Sequence, residues 1–400
     1  MYKSKINFFR KKRAELEFSK ITRVIKIIFT NFLILYVLLY ILEIFLQFNS
    51  GSLFKKTKFY YQSILENQSM EEVVLSFAPY KFLNKNKKII PLSGIANKKT
   101  ILCLDKNDKP IIYKSDKFGF NNDDYQKEIN ILVLGDSYVH GQCVNNKTNL
   151  IRQMNELGKK AIGLGIYGNG PLMEYATLIE YDQNFKYDTL VWVFTPDNDF
   201  YDLSLEKNEP ILLNYIKDSK TQDLIAKNSI RENEIFNYLN KRKERKLREF
   251  ARLYHLDLAI IRGFIKNIDD DVISFEDRFQ YLLSPENLDD VINVFNKTNN
   301  YLKKNDKKLL VVINSLNPDI MFPKNEETQT LKSLLVEDVQ SLKNFFNENK
   351  IQYLDFNKKV EDGYNEQNIN EIFNKIRSKW DHYTPRGYTI LAKEILDSVN

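Results

Sequence analysis

The stretch "INILVLGDSYVHG", Ile129 to Gly141, decides the fold. Ile129 to Gly135 is apolar apart from Asn130, rich in β-branched residues and leucine, and of the length expected for a strand buried on both faces. The run then stops in Gly-Asp-Ser. This reads as a turn at Gly135 and Asp136, with Ser137 opening a helix at the strand's carboxyl end. Ligands bind at that edge in open α/β sheets, and the N–H groups and dipole of a helix N-terminus suit an oxyanion there. Gly-Asp-Ser by itself also describes an ordinary helix cap, so the serine's partners decide.

Similar apolar runs follow: "KAIGLG" (160–165), "TLVWVF" (189–194), "KLLVVIN" (308–314) and "IQYLDF" (351–356), most of them separated by amphipathic segments of helix length. Strand and helix alternating in this way imply parallel strands joined by right-handed crossovers. The expected fold is a three-layer, flavodoxin-like α/β sheet of order 2-1-3-4-5 over residues 129–400. An exceptional interval, about 203–305, contains "ENEIFNYLNKRKERKLREFARLYHLDLAIIRGFIK", which has helical periodicity and reads as an insertion: a lid, an acceptor-binding platform or a spacer. Residues 49–128, polar and interrupted by Pro79, Pro91, Gly94 and Pro110, read as a stalk with a small irregular cap.

Three further segments can join Ser137. In "GLGIYGNGP", Gly168 follows the second strand with an unobstructed backbone N–H; in "FTPDNDFYDL", Asn198 follows the third and offers a side-chain amide. Both lie past carboxyl ends of consecutive strands, where two donors complete an oxyanion hole. In "WDHYTPRGYTILAKEIL", His382 sits on a loop before the last helix, within reach of Ser137 as general base.

These four blocks, in this order, resemble the SGNH/GDSL hydrolase family over residues from about 115 to 400. The resemblance implies Ser137 as nucleophile, His382 as base, and an oxyanion hole from the Ser137 N–H, Gly168 and Asn198. The lead-in "SDKFGFNNDD" is similar to the segment before Gly-Asp-Ser in membrane-anchored bacterial members linked to cell-surface glycans. There are two departures. Pro196 replaces the glycine of the family's Gly-x-Asn-Asp block, and Asp197 brings a carboxylate close to the place where negative charge would develop. The orienting acid commonly lies two or three residues before the histidine, whereas Asp381 is adjacent to His382, and neighbouring side chains on an extended strand diverge. The acid is therefore Asp381, or the pair is a dyad oriented by a backbone carbonyl or by Glu361 or Asp362. His140, three residues after Ser137, and Asp136 are candidates to line the pocket, His140 in a structural or substrate-contact role. His255 reads as structural.

The formal charge is +6, but residues 1–26 carry nine Lys and Arg against Glu15 and Glu17, leaving −1 for everything after them. That balance argues against a nucleic-acid-binding surface. "VIKIIFTNFLILYVLLYILEIFLQF" (24–48) is long enough to cross roughly 30 Å of hydrocarbon. It exceeds the roughly 7–15-residue apolar region of a signal peptide, and no small-residue cleavage site follows it. The expectation is one uncleaved transmembrane helix, with the basic tail (1–23) cytoplasmic by the positive-inside rule and the remainder outside the inner membrane. Only two cysteines occur, Cys103 and Cys143; outside the cytoplasm they form a disulfide, or else they are two buried thiols. No His/Cys cluster suggests a metal, and no phosphate-binding loop with lysine follows the first strand, so no cofactor is expected.

The expected activity is that of a serine esterase or O-acyltransferase acting on acyl esters, acetyl foremost, of extracytoplasmic polysaccharide. The rivals are a catalytically degenerate domain that binds glycan or serves as a scaffold, and a lipase or phospholipase, which needs a wide apolar groove beside Ser137.

Overall fold

The computed structural model describes residues 2–49, 73–83, 87–104, 110–123, 128–217, 220–253, 285–314, 326–364, 368–376 and 379–399. Helix α1 (Tyr2–Asn49) contains Lys20–Phe45, the one helical stretch among the described residues long and apolar enough to cross a membrane. Its large side chains are exposed, Phe29 and Phe32 at 69 % each. A stripe without polar alternation matches a hydrocarbon surrounding better than water.

The apolar runs form strands β4 (Ile131–Gly135), β5 (Ala161–Gly165), β6 (Thr189–Phe194), β7 (Lys308–Ile313) and β8 (Gln352–Asp355), all parallel, in the order β5-β4-β6-β7-β8. That is the expected 2-1-3-4-5 order. The register aligns Gly135, Gly165, Val193, Val312 and Leu354 in one row, so the segments leaving these strands start from a common rim.

Both faces are covered, which is why the strands are apolar throughout. On one face Val133, Val191 and Val312 join Met154 of α3 (Leu150–Glu156) and Leu391 and Ile395 of α11 (Pro385–Val399) in a single buried cluster. On the other, Trp192 and Phe194 meet Phe295 of α8 (Pro285–Lys304) at 4.7 and 5.3 Å between ring centroids, and Phe295 meets Phe346 of α9 (Glu326–Glu348) at 5.1 Å. Fully burying a side chain of this size contributes roughly 1.5–3 kcal/mol, so these two layers carry the domain. Helix α8 lies within the interval expected to be an insertion, but it is a crossover helix packed on the sheet.

Residues before β4 are more regular than expected. β1 (Val73–Leu75), β2 (Lys99–Leu104) and β3 (Pro110–Lys114) form a small mixed sheet. After it, Asp116 accepts the N–H groups of Phe118, Gly119 and Phe120, and Asn122 donates to Asp116. The Asn122 side chain also bonds both the N–H and the C=O of Gly163, 2.9 Å each, on edge strand β5. It thereby satisfies groups that an open edge would expose.

The start of the insertion is fastened to this cap. In α7 (Asn228–Leu253), Arg231 is 1 % exposed and donates to Ser93 Oγ, to Phe118 O at 3.0 Å and to Tyr181 Oη at 2.7 Å. Lys87 pairs with Glu234, and Gln222 exchanges two hydrogen bonds with the Ile90 backbone. With α6 (Pro210–Lys217), whose Tyr215 donates to Glu180, residues 220–242 act as a brace and not as a free spacer. His255 lies outside the described residues.

The expected disulfide is corrected: Cys103 and Cys143 are both half-buried thiols, not joined to each other. Cys103 sits beside a register shift in β2, and Cys143 occupies a left-handed turn at φ 59°, each fixed by the backbone of its own element.

Candidate active site

Ser137 follows β4 as expected, but the helix it opens, α2 (Ser137–His140), is a single turn ended at Gly141. A helix this short presents N–H groups but little macrodipole, so the expected dipole contribution is small. It packs tightly on the sheet: a Cβ at Gly165 would lie 2.5 Å from Val139 Cβ and 2.7 Å from the His140 nitrogen, so only glycine lets the turn approach.

Ser137 is 8 % exposed. Its Oγ lies 2.7 Å from His382 Nε2 and 3.2 Å from Asp136 Oδ2. The first is a normal short contact and the second is longer than the usual hydroxyl range, so the hydroxyl proton is best directed at the imidazole. Asp136 is fully buried: Oδ1 accepts the Tyr138 N–H at 3.0 Å and Oδ2 accepts Asn198 Nδ2 at 2.9 Å. Asn198, half-buried in the first turn of α5 (Pro196–Glu206), is thus drawn to the serine's neighbour, and its amide carries a second proton. Pro196 occupies the first helical position, where a missing N–H costs nothing. Asp197 is close enough for its charge to help raise the Tyr138 and Tyr383 hydroxyls, although burial of those rings is the larger cause.

The glycine loop after β5 is held from several sides. Gly168 adopts φ 74°, and a Cβ there would meet the Tyr80 ring at 2.8 Å, so both backbone and space require glycine. On one flank the Tyr167 N–H donates to His140 Nδ1 at 3.3 Å, while His140 Nε2 lies 3.0 Å from Tyr113 Oη. The accepting Nδ1 assigns the proton to Nε2. His140 is 1 % exposed, and burial pushes its pKa down to about 3. It faces away from solvent as a neutral prop of the loop. On the other flank Glu206, also buried, accepts the N–H groups of Gly170 at 2.6 Å, Leu172 at 2.9 Å and Met173 at 3.1 Å, capping α4 (Pro171–Tyr181). Burial pushes Glu206 up to about 8 against the opposing pull of these three donors. Between the flanks, the fully buried Asn169 amide has no hydrogen-bond partner among the described residues.

His382 lies on β10 (Lys379–Tyr383), paired antiparallel with β9 (Phe373–Ile376), within a register shift between Trp380 and Tyr383. Irregular steps of this kind re-aim side chains near active sites. The Asp381 side chain lies outside the described residues. Glu361 and Asp362 are exposed on α10 (Phe356–Gly363), where Glu361 accepts from Asn357 at 3.1 Å. The His382 ring packs on Tyr138, centroids 4.8 Å apart. Its neighbour Tyr383 is fully buried and donates to Asn314 Oδ1; Asn314, at the rim after β7, bonds the Phe194 carbonyl through its N–H at 2.7 Å and Thr195 Oγ1 through its amide at 3.3 Å. The hairpin carrying the imidazole is therefore tied to the strand end that leads into the Asn198 helix.

The sequence reading missed Glu206, Asn314, Tyr80 and Tyr383. Asn314 had a signal, as a polar residue ending an apolar strand at the rim; the others are set by tertiary packing. Among the described residues no group of three or more His, Cys, Asp or Glu is placed to hold a metal ion.

No family model and no curated protein matches the sequence. Among solved structures, the chain is similar to an acetyl xylan esterase, AlAXEase, at 13 % identity and a TM-score of 0.37 over 68 % of this chain and 100 % of that one. A lipolytic protein of the G-D-S-L family from Desulfitobacterium hafniense DCB-2 matches at 10 % identity and a TM-score of 0.34, over 68 % and 99 %. The lipase/acylhydrolase from Enterococcus faecalis matches at 14 % and 0.34, over 68 % and 95 %.

Proposed function

We propose that the chain is a membrane-anchored serine esterase or O-acyltransferase of the SGNH type, acting on acyl esters, acetyl foremost, of polysaccharide outside the cytoplasm. The observation that carries this reading is the 2.7 Å contact between Ser137 Oγ and His382 Nε2, with Asn198 bonded to Asp136 beside it. The apolar Lys20–Phe45 helix behind a basic tail supports the anchored, outward-facing topology.

In the first step Ser137 Oγ attacks the ester carbonyl carbon while its proton passes to His382 Nε2. The carbonyl oxygen becomes the oxyanion, met by the Ser137 and Gly168 N–H groups and the spare amide proton of Asn198. Collapse breaks the bond to the leaving alcohol, which takes the proton from the imidazolium and leaves an acyl-serine. Water then yields the free acid, or a sugar hydroxyl yields a new ester; either gives its proton to His382 as it attacks, and the proton returns to Ser137 Oγ on release.

The test is hydrolysis of p-nitrophenyl acetate by the full chain in detergent micelles, with Ser137→Ala and His382→Ala alongside. The expected result is turnover that both variants lose. A folded, monodisperse wild type with no turnover above that of Ser137→Ala favours the glycan-binding reading.

A further inference from the structure

We infer that Tyr80, from the cap and not from the α/β domain, is the residue that limits the acyl group to a short chain; this rests on the esterase reading above. Tyr80 lies in the single 3-10 turn Pro79–Phe82. The turn is anchored by other residues: Phe82 is 1 % and Phe77 4 % exposed, and Phe82 packs at 5.7 Å from Phe77 and 5.3 Å from Tyr238 of α7. Those rings meet the needs of cap packing. Tyr80 is left half-buried at the surface, its ring edge against Gly168, with Ala78 Cβ 3.3 Å from where a Cβ on that glycine would stand.

The ring is held in that position. The Lys81 N–H bonds Ala78 O at 3.1 Å and the Leu83 N–H bonds Tyr80 O at 3.1 Å, closing the turn on both sides of the tyrosine. The Lys81 ammonium stands 4.3 Å from the Tyr80 ring centroid, a cation–π contact over one face. A planar group fixed by its backbone and covered on one face serves as a wall and not as a mobile gate.

Bond lengths bound its reach. Two ring carbons lie 2.8 Å from where a Gly168 Cβ would stand. Adding bonds of roughly 1.5 Å puts them within about 6 Å of the Gly168 nitrogen. An oxyanion held by that N–H sits about 2.9 Å further at most. An acyl chain that runs from the reacting carbon toward the cap meets the ring as it lengthens, by roughly 1.3 Å for each added methylene. Selectivity between acyl groups of different length therefore lies in a residue about 57 positions before the nucleophile, on a separate structural element.

The experiment compares kcat/KM for p-nitrophenyl acetate, butanoate and octanoate, using the full chain in micelles, for wild type, Tyr80→Ala and Tyr80→Phe. The labelling rate with a fluorophosphonate is measured on each as a check of the nucleophile. Wild type is expected to prefer acetate over octanoate, Tyr80→Ala to raise the octanoate-to-acetate ratio about tenfold, in the range one pocket contact supplies, and Tyr80→Phe to keep the wild-type ratio. An unchanged ratio in a Tyr80→Ala protein that still labels overturns the inference while leaving the esterase reading intact, and so does a wild type that takes octanoate as readily as acetate. A wild type that neither labels nor turns over any ester refutes the esterase reading and this inference with it. If Tyr80→Ala does not fold, Tyr80→Leu is judged by the same ratio.

Discussion

The glycine loop after β5 and the histidine hairpin are held in different ways. The loop at 166–170 is gripped by groups on both flanks: His140 takes the Tyr167 N–H, Glu206 takes three N–H groups beyond it, and Tyr80 covers Gly168. The hairpin is anchored on the C-terminal side of His382, through Tyr383 to Asn314 and Thr195, and by the Asn374 amide on the Tyr383 carbonyl at 2.9 Å. The loop, which the proposed mechanism has receive charge, is over-determined by buried polar contacts. Among the described residues, the half that carries the imidazole is held through Tyr383 and, one residue on, by the Thr384 N–H on the Ile372 carbonyl at 2.7 Å. Electrostatic preorganisation requires donors that do not move during reaction, whereas a base needs a correct mean position.

The contrast predicts graded losses. Removing the imidazole has the largest effect: His382→Ala should lower ester turnover by at least about 10³-fold, measured as kcat/KM on p-nitrophenyl acetate. Next is the tether. Tyr383→Phe deletes the hydroxyl and leaves the Asn314 carbonyl oxygen buried without that donor, so kcat should fall roughly 10- to 100-fold, the scale of a 1 Å misplacement, with KM within a few-fold. An equal change in kcat and KM would show that the tyrosine is not positioning the base.

The loop should be more tolerant of a single loss. Glu206→Gln puts an amide N–H2 against backbone N–H donors whichever way it is turned, for a cost of about 1–3 kcal/mol in stability and a smaller loss in kcat than Tyr383→Phe. The two flanks also differ in pH response. Glu206 is raised from 4.5 to about 8, so its proton is held more firmly in the fold than in the unfolded chain. The stability this contributes is present below the unfolded value and is lost as pH rises from about 4.5 through 8. His140 is lowered from 6.5 to about 3, so the unfolded chain takes up a proton that the fold refuses, and stability falls as pH drops below about 6.5. Tm scanned over pH should fall less steeply on the alkaline side in Glu206→Gln, and less steeply on the acid side when His140 is replaced by Gln.

What could be read in the sequence follows from how local each feature is. Strands β4, β6 and β7 were legible because an apolar run bounded by turn residues needs no partner to be recognised, and their alternation with helices gave the sheet order. Ser137, Gly168 and Asn198 could be picked out as residues just past such runs, whereas His382, expected on a loop before Pro385 and Gly387, lies on strand β10, whose pairing with β9 is not announced by any apolar run. The single-turn length of α2 was not, because it is set by close packing on Gly165 and by the bend at Gly141. The brace from Arg231 to Phe118 and the tether from Tyr383 to Asn314 join residues 113 and 69 positions apart, and nothing in either segment announces its partner. The disulfide was misjudged for the same reason, since two cysteines in a sequence carry no information about whether their elements approach.

The central claim is that Ser137 is a nucleophile poised by His382. Its most direct test is to treat the full chain in micelles with a fluorophosphonate and locate the adduct by mass spectrometry of the peptide containing residues 131–141. The account predicts an adduct on Ser137, formed rapidly in the wild type, at least about 10²-fold more slowly in His382→Ala, and absent in Ser137→Ala. A folded wild-type chain that carries no adduct at Ser137, or carries one that forms equally fast without the imidazole, would contradict it.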